Sequence, residues 1–154
     1  MSVAVGTEAP DFTLKNQNNE LVTLSSFRGD RNVLLVFYPF AFSGICTREL
    51  CQLRDDLGAF ENDQVTTLAI SCDPVFTLKA WSQHENFRFN LLSDFWPHGQ
   101  VATTYGVFND RAGMADRGTF LVDTTGTVRF AEHNDPGQAR NQTAWKEALT
   151  ALPA

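Results

Sequence analysis

The chain contains no apolar run approaching the ~20 residues that a membrane-spanning helix requires, so a helical membrane protein is not expected. A basic leader is missing too. The opening Met1-Ser2-Val3-Ala4-Val5-Gly6 carries no cation and the first is Lys15, which makes a secretory signal unexpected and the cytoplasm the default compartment. Cysteine is scarce, with three in 154 residues. That is too few for a disulfide framework and points to thiol chemistry or plain burial. No Cys/His spacing fits a zinc site, so His84, His98 and His133 read as surface or helix-end residues. Excess positive charge is absent, and the net charge of −6 disfavours nucleic acid and anionic membranes as partners. A small neutral substrate is not excluded. Repeats, low-complexity tracts and linkers are also lacking, so residues 1–154 read as a single domain.

Hydrophobic residues make up 43% and charged residues 19%, a balance that argues against disorder. Most of the 13 phenylalanines should fill a core. Two short strands, Asp11–Leu14 and Leu21–Leu24, flank a polar turn, and Ser25–Gly29 reads as one helical turn closed by glycine. Val33–Tyr38 is an apolar strand. Leu50, Leu53, Leu57 and Phe60 recur at three- and four-residue spacing, which predicts a helix over Thr47–Phe60 with an inward stripe. A strand over Val65–Ser71, a helix from Asp73-Pro74 through Trp81, a short strand Leu91–Ser93 and a short helix Val101–Tyr105 follow. Thr119–Asp123 and Thr127–Ala131 predict a hairpin, and Asn141–Leu152 a closing helix. This order gives an α/β architecture, a mixed central sheet flanked by helices as in a thioredoxin-like fold.

The most informative stretch joins the first core strand to its helix: Tyr38-Pro39-Phe40-Ala41-Phe42-Ser43-Gly44-Ile45-Cys46-Thr47-Arg48-Glu49. Pro39 ends the strand, since it cannot donate to a ladder. A cysteine here sits in the first helical turn, where backbone N–H groups are unpaired and the helix dipole is positive. Both effects favour the thiolate, the nucleophilic form. Ser43 is placed to bond the sulfur or a substrate oxygen. Phe40, Phe42 and Trp81 suit an apolar collar around the sulfur. Cys72, at the end of a core strand, reads as a small buried side chain.

Pro39-x-x-x-Ser43-x-x-Cys46 resembles the active-site motif of the peroxiredoxins, and Glu49 fits the same pattern. Ala9-Pro10-Asp11-Phe12-Thr13-Leu14 and Arg117-Gly118-Thr119-Phe120-Leu121-Val122-Asp123 extend the likeness over nearly the whole chain. Leu91–Gly99 with Tyr105–Asn109 is similar to the alkyl hydroperoxide reductase E subgroup of actinobacteria. The resemblance implies a thioredoxin-like fold and a thiol-dependent peroxidase acting on hydrogen peroxide and organic hydroperoxides. Cys46 would attack the peroxide, Arg117 and Ser43 would stabilise the developing charge, and Pro39 would shield the sulfur. Glu49 would orient Arg117 or Arg140. No metal, haem or other cofactor is implied. The reductant would be thioredoxin, or mycothiol with a glutaredoxin-like protein, and the assembly a homodimer.

Cys51 departs from the E-type pattern, in which one cysteine acts and an external thiol resolves it. Its spacing matches the Q-type or bacterioferritin-comigratory group, in which the second cysteine resolves the sulfenic acid, and that role is expected here. The alternative is a one-cysteine enzyme. Five helical residues separate Cα atoms by about 8–9 Å, whereas a disulfide needs about 4.4–6.8 Å, so pairing requires local unwinding. A thioredoxin-fold binding module without turnover is a second class of reading. A disulfide oxidoreductase would want Cys-x-x-Cys, which this chain lacks.

Overall fold

The computed structural model describes residues 3–152; Met1 and Ser2, part of the stretch read for a leader, lie outside them. A seven-stranded mixed sheet runs in the order β2-β1-β5-β4-β3-β8-β9. Its centre is parallel, β3 (Asn32–Phe37) beside β4 (Val65–Ser71) beside β5 (Asn90–Ser93). β1 (Thr13–Asn16) and β2 (Leu21–Thr23) add antiparallel strands at one edge, and β8 (Arg117–Val122) and β9 (Val128–Asn134) at the other.

β3 shows why the middle strands read as unbroken apolar runs: both faces are covered. Leu34 and Val36 point to one layer with Leu50, Leu53, Leu78, Trp81 and Trp145. Val33, Leu35 and Phe37 point to the other with Leu24, Val101, Ala102 and Tyr105. Each such side chain contributes roughly 1.5–3 kcal/mol on burial, so the sheet is anchored from both sides. On the first face lie α1 (Gly44–Asp55), α3 (Val75–Glu85) and α5 (Gln142–Thr150). α2 (Leu57–Phe60) follows α1, and α4 (Gln100–Thr104) packs into the second face.

Several boundaries differ from expectation. The helix read as Thr47–Phe60 begins at Gly44 and breaks at Asp56 into α1 and α2. The spacing of leucines marks the buried stripe but not its ends. The first strand is displaced to Thr13–Asn16, because Phe12 is taken into the core and its carbonyl accepts from Leu24 instead. Leu24 opens a 3-10 turn rather than ending β2. α3 runs to Glu85, one turn past Trp81, and ends on Asn86 in the left-handed conformation. The two-residue strands β6 (Phe108–Asn109) and β7 (Met114–Ala115) had no sequence signal long enough to find.

Candidate active site

Cys46 is the third residue of α1, after the N-cap position Ser43. The first helical bond runs from Thr47 N–H to Ser43 C=O at 2.9 Å. The N–H groups of Gly44, Ile45 and Cys46 therefore precede the ladder and have no protein acceptor among the described residues. Cys46 itself is fully buried.

The loop before it is held from beneath. Asp73 Oδ2 accepts from Ala41 N–H at 2.8 Å and from Ser71 Oγ at 2.7 Å. Burial raises the Asp73 carboxyl against these bonds, which pull it down. Pro39 is buried. Phe42 sits at φ 68°, a left-handed conformation that is strained for a bulky residue. Its half-exposed ring packs 6.1 Å from Trp81 and 6.2 Å from His84. Ser43 Oγ donates to Phe40 C=O at 2.9 Å, which leaves its lone pairs open as acceptors. Tyr38 also belongs here: its hydroxyl is buried without a bonded partner among the described residues, and burial pushes its pKa well up.

Glu49 lies one turn beyond Cys46 and is 4% exposed. It receives Arg117 Nη1 at 2.6 Å, Arg140 Nη2 at 2.9 Å and Arg140 N–H at 2.7 Å. Burial alone would raise this carboxyl. The bonds and charge of Arg140, then the charge of Arg117, outweigh it and hold Glu49 below its ordinary range. The two arginines differ in what they leave free. Arg140 is fully buried at the side chain and bonds Phe37 C=O, Gly118 C=O and Glu49 with all three nitrogens. Arg117 spends Nε on Pro136 C=O at 2.7 Å and Nη1 on Glu49, leaving Nη2 without a protein acceptor among the described residues. Gly118 lets β8 approach closely: a Cβ there would fall 2.7 Å from Val107 Cγ1.

The three thiols are all free and sit in different surroundings. Cys51 is half-buried on α1 and donates to Glu85 Oε2 at 3.2 Å; burial and that bond push it up to about 11. Cys72 is buried beyond β4, and burial, then Asp94 and Asp73, push it up to about 12. At neutral pH both groups are held as thiols.

The fold thus brings Pro39, Ser43, Cys46, Glu49 and Arg117 to one end of the sheet, and leaves Cys51 on the flank facing α3. Reading the residues alone puts too little weight on Arg140 and offers no reason to notice Asp73 or Glu85. The signal for Arg140 was present, since its neighbour Asn141 is the N-cap of α5 and fixes the chain there. Nothing local marks Glu85.

The chain as a whole is similar to known proteins. A family model described as AhpC/TSA matches residues 5–131. The chain is 59% identical to alkyl hydroperoxide reductase E of Mycobacterium tuberculosis (strain ATCC 25618 / H37Rv), covering 97% of this chain and 98% of that one. It is 31% identical to the chloroplastic 2-Cys peroxiredoxin BAS1 of Hordeum vulgare, over 96% of this chain and 74% of that one. The crystal structure of peroxidoxin BcpB from Mycobacterium tuberculosis superposes with a TM-score of 0.85 at 30% identity, covering 97% and 98% of the two chains.

Proposed function

The chain belongs to the AhpC/TSA family and is a thiol-dependent peroxidase of the peroxiredoxin type, and we propose that Cys46 is the residue that attacks the peroxide. The observation carrying this is the contrast among the three thiols. Cys51 and Cys72 are held as thiols by their surroundings, while Cys46 alone lies among the open N–H groups of a helix start. In the proposed step the Cys46 thiolate bonds the terminal peroxide oxygen, which stays on sulfur with its proton as the sulfenic acid; the O–O bond breaks, and the departing hydroxide or alkoxide takes up a solvent proton to leave as water or an alcohol. Arg117 Nη2 and the α1 N–H groups donate to the developing negative charge. Ser43 accepts from the peroxide O–H, Glu49 fixes the Arg117 fork, and Pro39 keeps water from the sulfenic acid. The buried sulfur and its aromatic loop suit hydrogen peroxide and small organic hydroperoxides.

Cys51 is proposed to resolve the sulfenic acid after the first turns of α1 unwind. The reductant that completes the cycle is thioredoxin, or mycothiol with a glutaredoxin-like protein. Three unpaired cysteines suit the cytoplasm, and among the described residues no helix is long and apolar enough to cross a membrane. Exposed Leu21, Phe76, Phe95 and Trp96 around a groove of about 620 Å³ support a homodimer through that face.

The test is intact mass and non-reducing peptide mapping after one equivalent of peroxide. A loss of two hydrogens with Cys46 bonded to Cys51 is the expected result. A gained oxygen on Cys46 with Cys51 free establishes the one-cysteine cycle instead. Oxidation confined to any other residue removes Cys46 from the reaction.

A further inference from the structure

α1 and α3 are joined by polar contacts at one point. Cys51 Sγ donates to Glu85 Oε2 at 3.2 Å, and Arg54 Nη1 donates to the Glu85 main-chain carbonyl at 2.8 Å while lying 3.5 Å from Oε2. Glu85 is the last residue of α3, and its side chain is 19% exposed. Its other oxygen is 3.7 Å from His84 Nε2. The same turn of α3 backs the loop over Cys46, because Phe42 packs on His84 and Trp81. The charged groups facing Cys51 are Arg54 and Asp55 on α1 and Glu85 on α3, and Glu85 carries the one direct bond to sulfur among the described residues.

We infer that Glu85 is a positioning residue that latches Cys51 to α3, and so sets the rate at which Cys51 reaches the Cys46 sulfur. The inference rests on the reading of Cys51 as the resolving thiol. In that step the Cys51 sulfur attacks the Cys46 sulfenic sulfur, an S–S bond forms and the S–O bond breaks. The hydroxyl leaves as water with the Cys51 proton; the Cys51 sulfur is oxidised and the Cys46 sulfur reduced. In the helix the two residues stand about 140° apart around the axis. Cys51 must therefore let go of Glu85 before α1 can present it. A glutamate serving instead as the base for this thiol would have the opposite effect when removed.

Glu85→Gln keeps the side-chain shape and removes the charge. In a reduced Cys46→Ser background, alkylation of Cys51 should move to lower pH by about one unit, roughly a tenfold gain at neutral pH. In the protein with Cys46 intact, disulfide closure after one equivalent of peroxide should be roughly three- to tenfold faster, with the peroxide-reducing burst unchanged. Glu85→Asp should restore part of the original midpoint. An unchanged alkylation midpoint, or slower closure in Glu85→Gln, overturns the latch. A shifted midpoint in a protein that forms no Cys46–Cys51 bond overturns the resolving role and leaves the hold of Glu85 on Cys51 standing.

Discussion

Cys46→Ser is expected to reduce peroxide consumption to background in a coupled assay with excess dithiol, a fall of about 10³-fold or more. A serine hydroxyl does not ionise near neutral pH, so its placement at the start of α1 gives it no nucleophile to present. The remaining thiols cannot substitute, since burial pushes Cys72 up to about 12, and burial with the Glu85 bond pushes Cys51 up to about 11. The fold should survive, because the exchange is nearly isosteric and a hydroxyl in a first helical turn can donate back to a nearby carbonyl. The change in Tm should stay within a few degrees. Near-normal turnover by the variant would falsify the assignment of Cys46. Cys72→Ser is the matching control and should leave the peroxide step intact.

Glu49→Ala is expected to be the most destabilising single change at the site. It strands Arg117 and Arg140, which are 2% and 7% exposed, and removing one partner of a buried ion pair costs about 3–5 kcal/mol. For a chain of this size that is a fall in Tm of roughly 6–20 °C. Calorimetry reads it directly, and a shift under 2 °C or so would show that the cluster is dispensable. The pH dependence follows from the direction of the shift. The Glu49 carboxyl is held below its ordinary range, so its contribution is present above the unfolded value of about 4.3 and is lost as pH falls through the lower folded value. Glu49→Gln should therefore show a shallower loss of stability on the acid side. Arg117→Ala separates the roles. Arg140 still pairs with Glu49 in that variant, so peroxide attack should slow more than stability falls.

The parts of this molecule that could be read from its residues are those governed by local rules. The apolar run of β3, the proline after it and the serine three residues before Cys46 place a thiol at a helix start without any knowledge of the rest. The α1 stripe of Leu50 and Leu53 is likewise a matter of spacing. What stayed hidden depends on distant neighbours. The motif singles out Glu49 and names Arg117 or Arg140 as its partner, but that it holds both at once is seen only when Arg140, far along the chain, is folded onto it. The helix between Cys46 and Cys51, and the unwinding their pairing needs, follow from spacing, but the bond from Cys51 to Glu85 on α3 does not. β6 and β7 are too short to have a period at all.

The charge cluster beneath the sulfur also sets when the protein can become an enzyme during its synthesis. Glu49 and Arg140 are separated by 91 positions. A ribosome adding about 5–20 residues per second needs roughly 5–18 s to bridge them. Throughout that interval the nascent chain already carries Cys46, Ser43 and the strand behind them, but the carboxylate under α1 has no Arg140 to meet. Gln142, whose amide donates to the Glu49 main-chain carbonyl at 2.9 Å, arrives later still. α5 is thus made after the half of the site that it helps to close, and a chain interrupted after β9 carries the nucleophile without its foundation.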